Sequence, residues 1–190
     1  MSRFRDRFIP NCGPYTLARF LQHSEDYVHA FEKEADYRED GTVLDVDAYD
    51  TLRRENSAVR YCFGLFGYIL GVDLPDTIFY HPVMFRMHLA AVDMVTWSNV
   101  SVCAARAPRS VLSSDPDRAA CLQDLYSYNM EQAMGHMTNN VLTVLQKARG
   151  VDLQGAADLV GEHFKELYDG FEADKARLPT FGAEMDAIVA

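Results

Sequence analysis

The sequence has no long apolar run, a single tryptophan and no excess of basic residues. Its most apolar stretch, residues 61–72, lies between Arg60 and Asp73 and is shorter than the roughly 20 residues that a membrane-spanning helix needs. The net charge of −10 argues against a general nucleic-acid binder, because phosphate contacts require a basic surface. We therefore expect neither a membrane span nor a nucleic-acid partner.

Cysteine patterns typical of metal or redox sites are also missing. The four cysteines are Cys12, Cys62, Cys103 and Cys121. Their spacing matches neither a zinc site nor a CxxC redox motif. Arg3, Arg5 and Asp6 are not followed by the apolar stretch of a secretory signal. We therefore expect a cytoplasmic protein with reduced thiols.

What the sequence does contain is helical periodicity. Hydrophobic residues make up 48% of the chain, enough for the core of one domain, and they recur mostly at intervals of three, four or seven. Because no segment alternates convincingly between apolar and polar residues, the pattern predicts an all-α fold. Asp47 is predicted to cap the second helix, and Gly41, Gly71 and Gly150 to follow helix ends. The predicted helices cover residues 14–40, 47–54, 57–70, 82–99, 124–133, 139–148 and 153–177.

One segment, residues 100–123, departs from this pattern. It contains no aromatic residue, shows no sustained period and carries Pro108 and Pro116. A structureless loop of this length is uncommon inside a compact domain. We expect this segment to be irregular.

Three oxygen-bearing side chains stand at four-residue spacing, beginning at the last residue of the irregular segment. Gln123, Ser127 and Glu131 would lie along one face of a helix, and hard oxygen ligands of this kind suit Mg²⁺. By spacing alone, however, the same pattern also describes a solvated helix face.

The surrounding residues strengthen the metal-site interpretation. The run Asp124-Leu125-x-Ser127-Tyr128-Asn129-x-Glu131-Gln132 resembles the metal-binding motif of class I terpene synthases in its fungal form, NDxxSYNxEQ. Tyr49-x-x-Leu52-Arg53-Arg54-Glu55-x-Ser57 is similar to a segment of this family that supplies a diphosphate-sensing arginine. Residues 73–75, 95–99 and 150–156 also resemble the family.

This resemblance implies a class I terpene synthase helical bundle that binds Mg²⁺ and ionises a prenyl diphosphate, with farnesyl diphosphate as the expected substrate. Arg54 would be the catalytic diphosphate sensor, with Arg53 beside it in the substrate site. Arg54 fits better than Arg53 because Ala58, four residues later, stands where the family often has glycine. A homodimer is left open.

Deleting residues 100–123 joins Asn99 to Asp124 and restores the motif as WSNDLYSYNMEQ. Valine codons begin with GT and a glutamine codon can be CAG, as at the ends of an intron. The 24 codons make 72 nucleotides. We therefore interpret residues 100–123 as a translated, unspliced intron. Asn99, Ser127 and Glu131 would then be the metal ligands, supported by Asp124; in the alternative, Gln123 replaces Asn99.

Two further motifs of the family are not found, namely the Asp-rich metal motif and the C-terminal Arg-Tyr pair. The resemblance therefore indicates that residues 1–190 form a single partial catalytic domain, and we expect this chain by itself to be inactive. A catalytically inactive helical remnant that binds at most a metal or a partner is the alternative.

The remaining histidines and aromatic residues carry less specific predictions. His81 and His88 are predicted to be capping or surface residues, since class I sites use oxygen ligands. Five aromatic residues could form plain core or line a cavity that stabilises carbocations: Tyr61, Phe63, Phe66, Tyr68 and Trp97.

Overall fold

The computed structural model describes residues 2–101 and 140–189, and every regular element within these two ranges is a helix. The predicted all-α class is therefore confirmed for the described chain. No helix in these ranges is long and apolar enough to cross a membrane. The helices are α1 (Ser2–Asn11), α2 (Pro14–Glu39), α3 (Val46–Asn56), α4 (Val59–Phe63), α5 (Phe66–Leu70), α6 (Asp76–Phe79), α7 (Pro82–Ser101), α8 (Val141–Arg149), α9 (Leu153–Lys175) and α10 (Ala183–Val189).

The start of α2 is fixed by a distant carboxylate. Asp73 accepts hydrogen bonds from the backbone N–H of Tyr15 at 3.2 Å and of Thr16 at 2.7 Å, two of the donors that a helix start leaves without intrahelical partners. Gly13 is required here, because a Cβ at this position would lie 2.1 Å from Asp73 Cγ. The turn predicted around Asp73 thus anchors α2.

Two predicted helix boundaries are wrong. Asp45, not Asp47, caps α3, because its Oδ1 accepts from the N–H of Ala48 at 2.8 Å. The single helix predicted over 57–70 is replaced by the two short helices α4 and α5. Ala58 separates α3 from α4 with φ of +62°, a left-handed conformation that non-glycine residues rarely adopt.

The main core lies where α3, α7, α8 and α9 meet. α7 and α9 pack along one another, and α8 contacts both helices and α3. At the periphery, Arg86 on α7 donates from Nε and Nη2 to the carboxylate of Asp174 on α9, both at 2.8 Å. The buried side chains of this core are Ala30, Leu44, Tyr49, Leu52, Trp97, Val141, Leu142, Val144, Leu145, Ala156, Ala157 and Val160.

A second, aromatic layer joins α1 to α2 and α4. The rings of Phe8 and Phe20 have centroids 4.7 Å apart, and Phe20 continues to Tyr61 at 4.9 Å. Phe8 also meets Tyr68 edge-on at 5.1 Å. Tyr61 and Tyr68 are therefore packing residues.

Candidate active site

Arg54 lies in the last turn of α3 and forms a two-point ion pair with Asp93 on α7. Its Nε is 2.6 Å from Asp93 Oδ1 and its Nη2 is 2.7 Å from Oδ2. The Asp93 side chain is 7% exposed and that of Arg54 is 31% exposed. The hydrogen bonds that Arg54 donates to Asp93 raise the pKa of Arg54, so the guanidinium stays protonated.

A second contact runs beside the first, one turn away on each helix. Trp97 Nε1 donates to Asp50 Oδ1 at 2.9 Å. Since Asp50 and Arg54 are four residues apart on α3, and Asp93 and Trp97 are four apart on α7, the two contacts join matching faces of the helices. Burial raises the pKa of Asp50 to about 6, although the hydrogen bond from Trp97 opposes this shift. These contacts fix α3 against α7.

Arg53, the neighbouring candidate, is oriented differently. Its Nη1 lies 3.4 Å from Asn56 Oδ1, and Asn56 in turn donates to Glu34 on α2 at 2.8 Å. Arg53 Nε is buried without a hydrogen-bond partner in the described part of the chain. The structure therefore connects Arg54, and not Arg53, with the helix that carries Asn99.

Of the predicted metal ligands, only Asn99 belongs to a described helix. It lies six residues after Asp93 on α7, a rise of about 9 Å along the helix axis. The other predicted ligands and their supporting residue lie outside the described residues: Gln123, Asp124, Ser127 and Glu131. The same holds for the irregularity predicted for residues 102–123, whereas Val100 and Ser101 continue α7. In residues 2–101 and 140–189, no three His, Cys, Asp or Glu side chains group as a metal site.

The break at Ala58 follows Arg54 at the expected distance. Ala58 stands four residues after Arg54, at the position where the family often has glycine. Its φ of +62° is the conformation that glycine adopts without steric cost.

A cavity of about 320 Å³ lies between α2, α4, α5, α6 and α7. Its walls are mostly apolar, and they include Phe63 and Phe66 but not Trp97, which belongs to the core. The residues lining the cavity are Thr16, Arg19, His23, Phe63, Gly64, Phe66, Gly67, Leu70, Val72, Leu74, Phe79, Met84, Met87, His88, Ala91, Phe171 and Ile188.

The two histidines behave differently from one another. His81 is a capping residue as predicted, since its Nδ1 accepts from the N–H of Val83 at 3.3 Å. The surface prediction for His88 is wrong, because this residue lines the cavity and packs against aromatic rings. Burial, followed by the positive charge of Arg60, lowers the pKa of His88 to about 4.

Sequence reasoning missed Asp93 and Asp50. Asp93 is the only charged residue between Arg86 and Ser101 on an otherwise apolar helix, and a lone carboxylate in such a helix was an available signal. Asp50 offered no comparable signal, since α3 carries several charged residues.

Comparison with known proteins assigns the chain to a family. The family model "Terpene synthase family 2, C-terminal metal binding" matches residues 1–169. A Coprinopsis cinerea protein named linoleate 10R-lipoxygenase COP4 is 37% identical over 186 residues, which are 97% of this chain and 47% of that protein. The alpha-muurolene synthase of the same fungus is 34% identical over 187 residues, 98% of this chain and 38% of that enzyme.

Solved structures agree on the fold. A crystal structure of α-eudesmol synthase superposes with a TM-score of 0.63 at 20% sequence identity, covering 87% of this chain and 44% of that one. The chain thus spans less than half the length of these relatives. With the match over residues 1–169 and the shared helical fold, the chain belongs to the terpene synthase family and includes its C-terminal metal-binding region.

Proposed function

We propose that this chain is the catalytic part of a class I sesquiterpene synthase that ionises farnesyl diphosphate with Mg²⁺ and cyclises the resulting carbocation. The names of its relatives, such as the sesquiterpene synthase Agr5 of Cyclocybe aegerita, support a sesquiterpene product. The cytosol, where cysteines stay reduced, is the proposed compartment.

The observation that carries the proposal is the ion pair between Arg54 and Asp93. The pair holds the Arg54 guanidinium at the end of α3, beside the left-handed residue Ala58. Its other member, Asp93, lies on α7, the helix that leads to Asn99. A guanidinium has five N–H donors, so the two bonds to Asp93 leave others for a diphosphate. Arg54 would recognise the leaving group, while the apolar cavity would receive the prenyl chain and exclude water.

The metal would be held by side chains of the next motif. Asn99, Ser127 and Glu131 supply a carboxamide oxygen, a hydroxyl and a carboxylate, a donor set that suits Mg²⁺, with Asp124 as their supporting partner. Bound Mg²⁺ would neutralise charge on the departing diphosphate as a Lewis acid.

Residues 100–123 are proposed to be the product of a retained intron. α7 continues past Asn99 to Ser101, so the chain is still helical where the insertion begins. Joining Asn99 to Asp124 would place Asn99, Ser127 and Glu131 at successive four-residue steps of one helix. In the alternative, Gln123 would place its carboxamide oxygen one methylene further from the metal.

The test is turnover by a chimaera. Residues 1–99 and 124–190 would be joined to those parts of the alpha-muurolene synthase that the match does not cover. With farnesyl diphosphate and Mg²⁺, we expect a cyclic sesquiterpene in gas chromatography. The 190-residue chain alone should give none, because no Asp-rich metal motif is found in it.

Matched variants make the result specific. Glu131→Ala should abolish the product by removing a metal ligand, and Arg54→Ala should reduce it by orders of magnitude through lost diphosphate stabilisation. Glu172→Ala, on the exposed surface of α9, should leave it unchanged. A chimaera that folds but releases no sesquiterpene, or whose product survives Glu131→Ala, would contradict the proposal.

A further inference from the structure

His88 brings an unsatisfied polar atom to the cavity. Its Nε2 is buried and has no hydrogen-bond partner in the described part of the chain. The other polar side chains of the cavity wall are already engaged. Thr16 donates to Val72 O at 3.4 Å, Arg19 to Asp76 Oδ1 at 2.5 Å, and His23 Nδ1 lies 3.0 Å from Arg60 O.

The surroundings of His88 are aromatic. Its ring centroid lies 5.0 Å from that of Phe79, 5.9 Å from that of Phe63 and 6.2 Å from that of Phe85. Aromatic ring faces attract a cation, and none of these side chains offers an acceptor for a proton. An orphaned imidazole nitrogen costs free energy when it is buried, so its retention here needs an explanation.

Resting on the proposed function, we propose that His88 is a catalytic base that ends the cyclisation. A C–H bond next to the cationic carbon breaks, and its electron pair forms the double bond of the product. The proton passes to the lone pair of Nε2 and gives an imidazolium, which returns the proton to water or to the released diphosphate. The product is a cyclic hydrocarbon with one proton fewer than the cation.

The charges around His88 favour this role. The groups that act on it are Arg19 and His23 from α2 and Arg60 from α4, and together with burial they disfavour its protonated form. The imidazole is therefore neutral before reaction and does not repel a cation. A proton next to a carbocation is far more acidic than an imidazolium, so even a weakly basic nitrogen accepts it.

The first test uses the 190-residue chain and no turnover. In ¹⁵N NMR at pH 7, His88 should be neutral with its proton on Nδ1, leaving the Nε2 lone pair free. N-methyl-decahydroquinoline, a protonated amine of bicyclic size, should bind and shift the Nε2 resonance. A proton on Nε2, or an unshifted resonance at saturating amine, would overturn the proposal.

Variants of His88 distinguish a role as a proton acceptor from a role in filling the cavity. His88→Phe should weaken amine binding about tenfold, the loss expected for one charge-assisted hydrogen bond, while binding of the neutral hydrocarbon decalin changes less than about twofold. His88→Gln, which keeps an acceptor, should restore most of the amine affinity. His29→Phe, on the exposed side of α2, should change neither affinity. Equal losses for amine and decalin would show that His88 only fills space.

In the chimaera, His88→Phe should still consume farnesyl diphosphate but redistribute the products towards other double-bond isomers or alcohols. Unchanged products would overturn the role of His88 while leaving the proposed function intact. Absence of turnover in the unsubstituted chimaera would instead contradict the proposed function. The NMR test does not depend on turnover and would still decide whether His88 Nε2 can accept a proton.

Discussion

The guanidinium of Arg54 meets the carboxylate of Asp93 at two points, 2.6 and 2.7 Å, and so joins the last turn of α3 to the middle of α7. Both groups are at least partly withdrawn from water. Removal of either partner therefore leaves the other charge poorly solvated, so breaking the pair should destabilise the fold.

Asp93→Ala should lower the free energy of unfolding by about 2 kcal/mol, less than for a fully buried pair because Arg54 is partly exposed. Urea denaturation followed by circular dichroism measures this. Lys165→Ala, which breaks an ion pair whose side chains are 75% and 58% exposed, is the control and should lower the free energy of unfolding much less. Equal losses would mean that the Arg54 pair is as weak as a surface pair.

Asp50 and His88 should affect the pH dependence of stability in opposite directions. The folded-state pKa of Asp50 is about 6, above its ordinary 3.8, so its contribution to stability falls as pH rises from 4 to 6. The folded-state pKa of His88 is about 4, below its ordinary 6.5, so its contribution rises over the same interval.

The variant Asp50→Asn leaves the rising contribution of His88 unopposed. Its free energy of unfolding, measured by urea denaturation, should increase more steeply between pH 4 and 6 than that of the wild type, by about 1 kcal/mol across the interval after allowance for solvent screening of Asp50. In His88→Phe the free energy of unfolding should rise less steeply with pH than in the wild type. Parallel curves for all three proteins would show that neither group titrates abnormally.

Ala58→Gly should stabilise the protein. The left-handed conformation at φ +62° costs a residue with a Cβ about 1–2 kcal/mol, and glycine avoids most of it, for a net gain of about 0.5–1 kcal/mol. Ala173→Gly, at an exposed position inside α9, should instead destabilise by about 1 kcal/mol. Thermal unfolding of both variants gives the comparison, and a loss of stability at position 58 would contradict the strain argument.

Messenger RNA from the source organism should join the Asn99 codon directly to the Asp124 codon. The reason is the restored motif and the 72-nucleotide length of the intervening segment. Sequencing cDNA across this junction decides between a retained intron and a genuine insertion. Transcripts that always retain the segment would return Gln123 to the role of the first metal ligand.

Long helices were predictable from the sequence because several turns of apolar pattern specify them. α2, α7 and α9 end within about two residues of their predicted limits. The four- and five-residue helices α4 to α6 hold too little pattern to be separated, and α1 and α10 were not predicted at all. The cap of α3 was missed because Asp45 and Asp47 are chemically alike and only the backbone geometry selects Asp45.

The candidate site shows the same division between local and distant information. Arg54 was identified through a contiguous motif, whereas its partner Asp93 is 39 residues away and their contact depends on how α3 crosses α7. His88 was misjudged for the same reason. The aromatic rings that bury it come from α4 and α6 as well as its own helix, and helical periodicity carries no information about such neighbours.

One end of the cavity has a consequence for substitutions in its wall. Phe171 and Ile188 line it, yet both lie beyond residues 1–169, the part that matches the family model. Substitutions at these two positions can change the volume of the cavity without touching Arg54, Asp93 or Asn99. We therefore expect this wall to tolerate changes of side-chain size that the contacts between α3 and α7 would not.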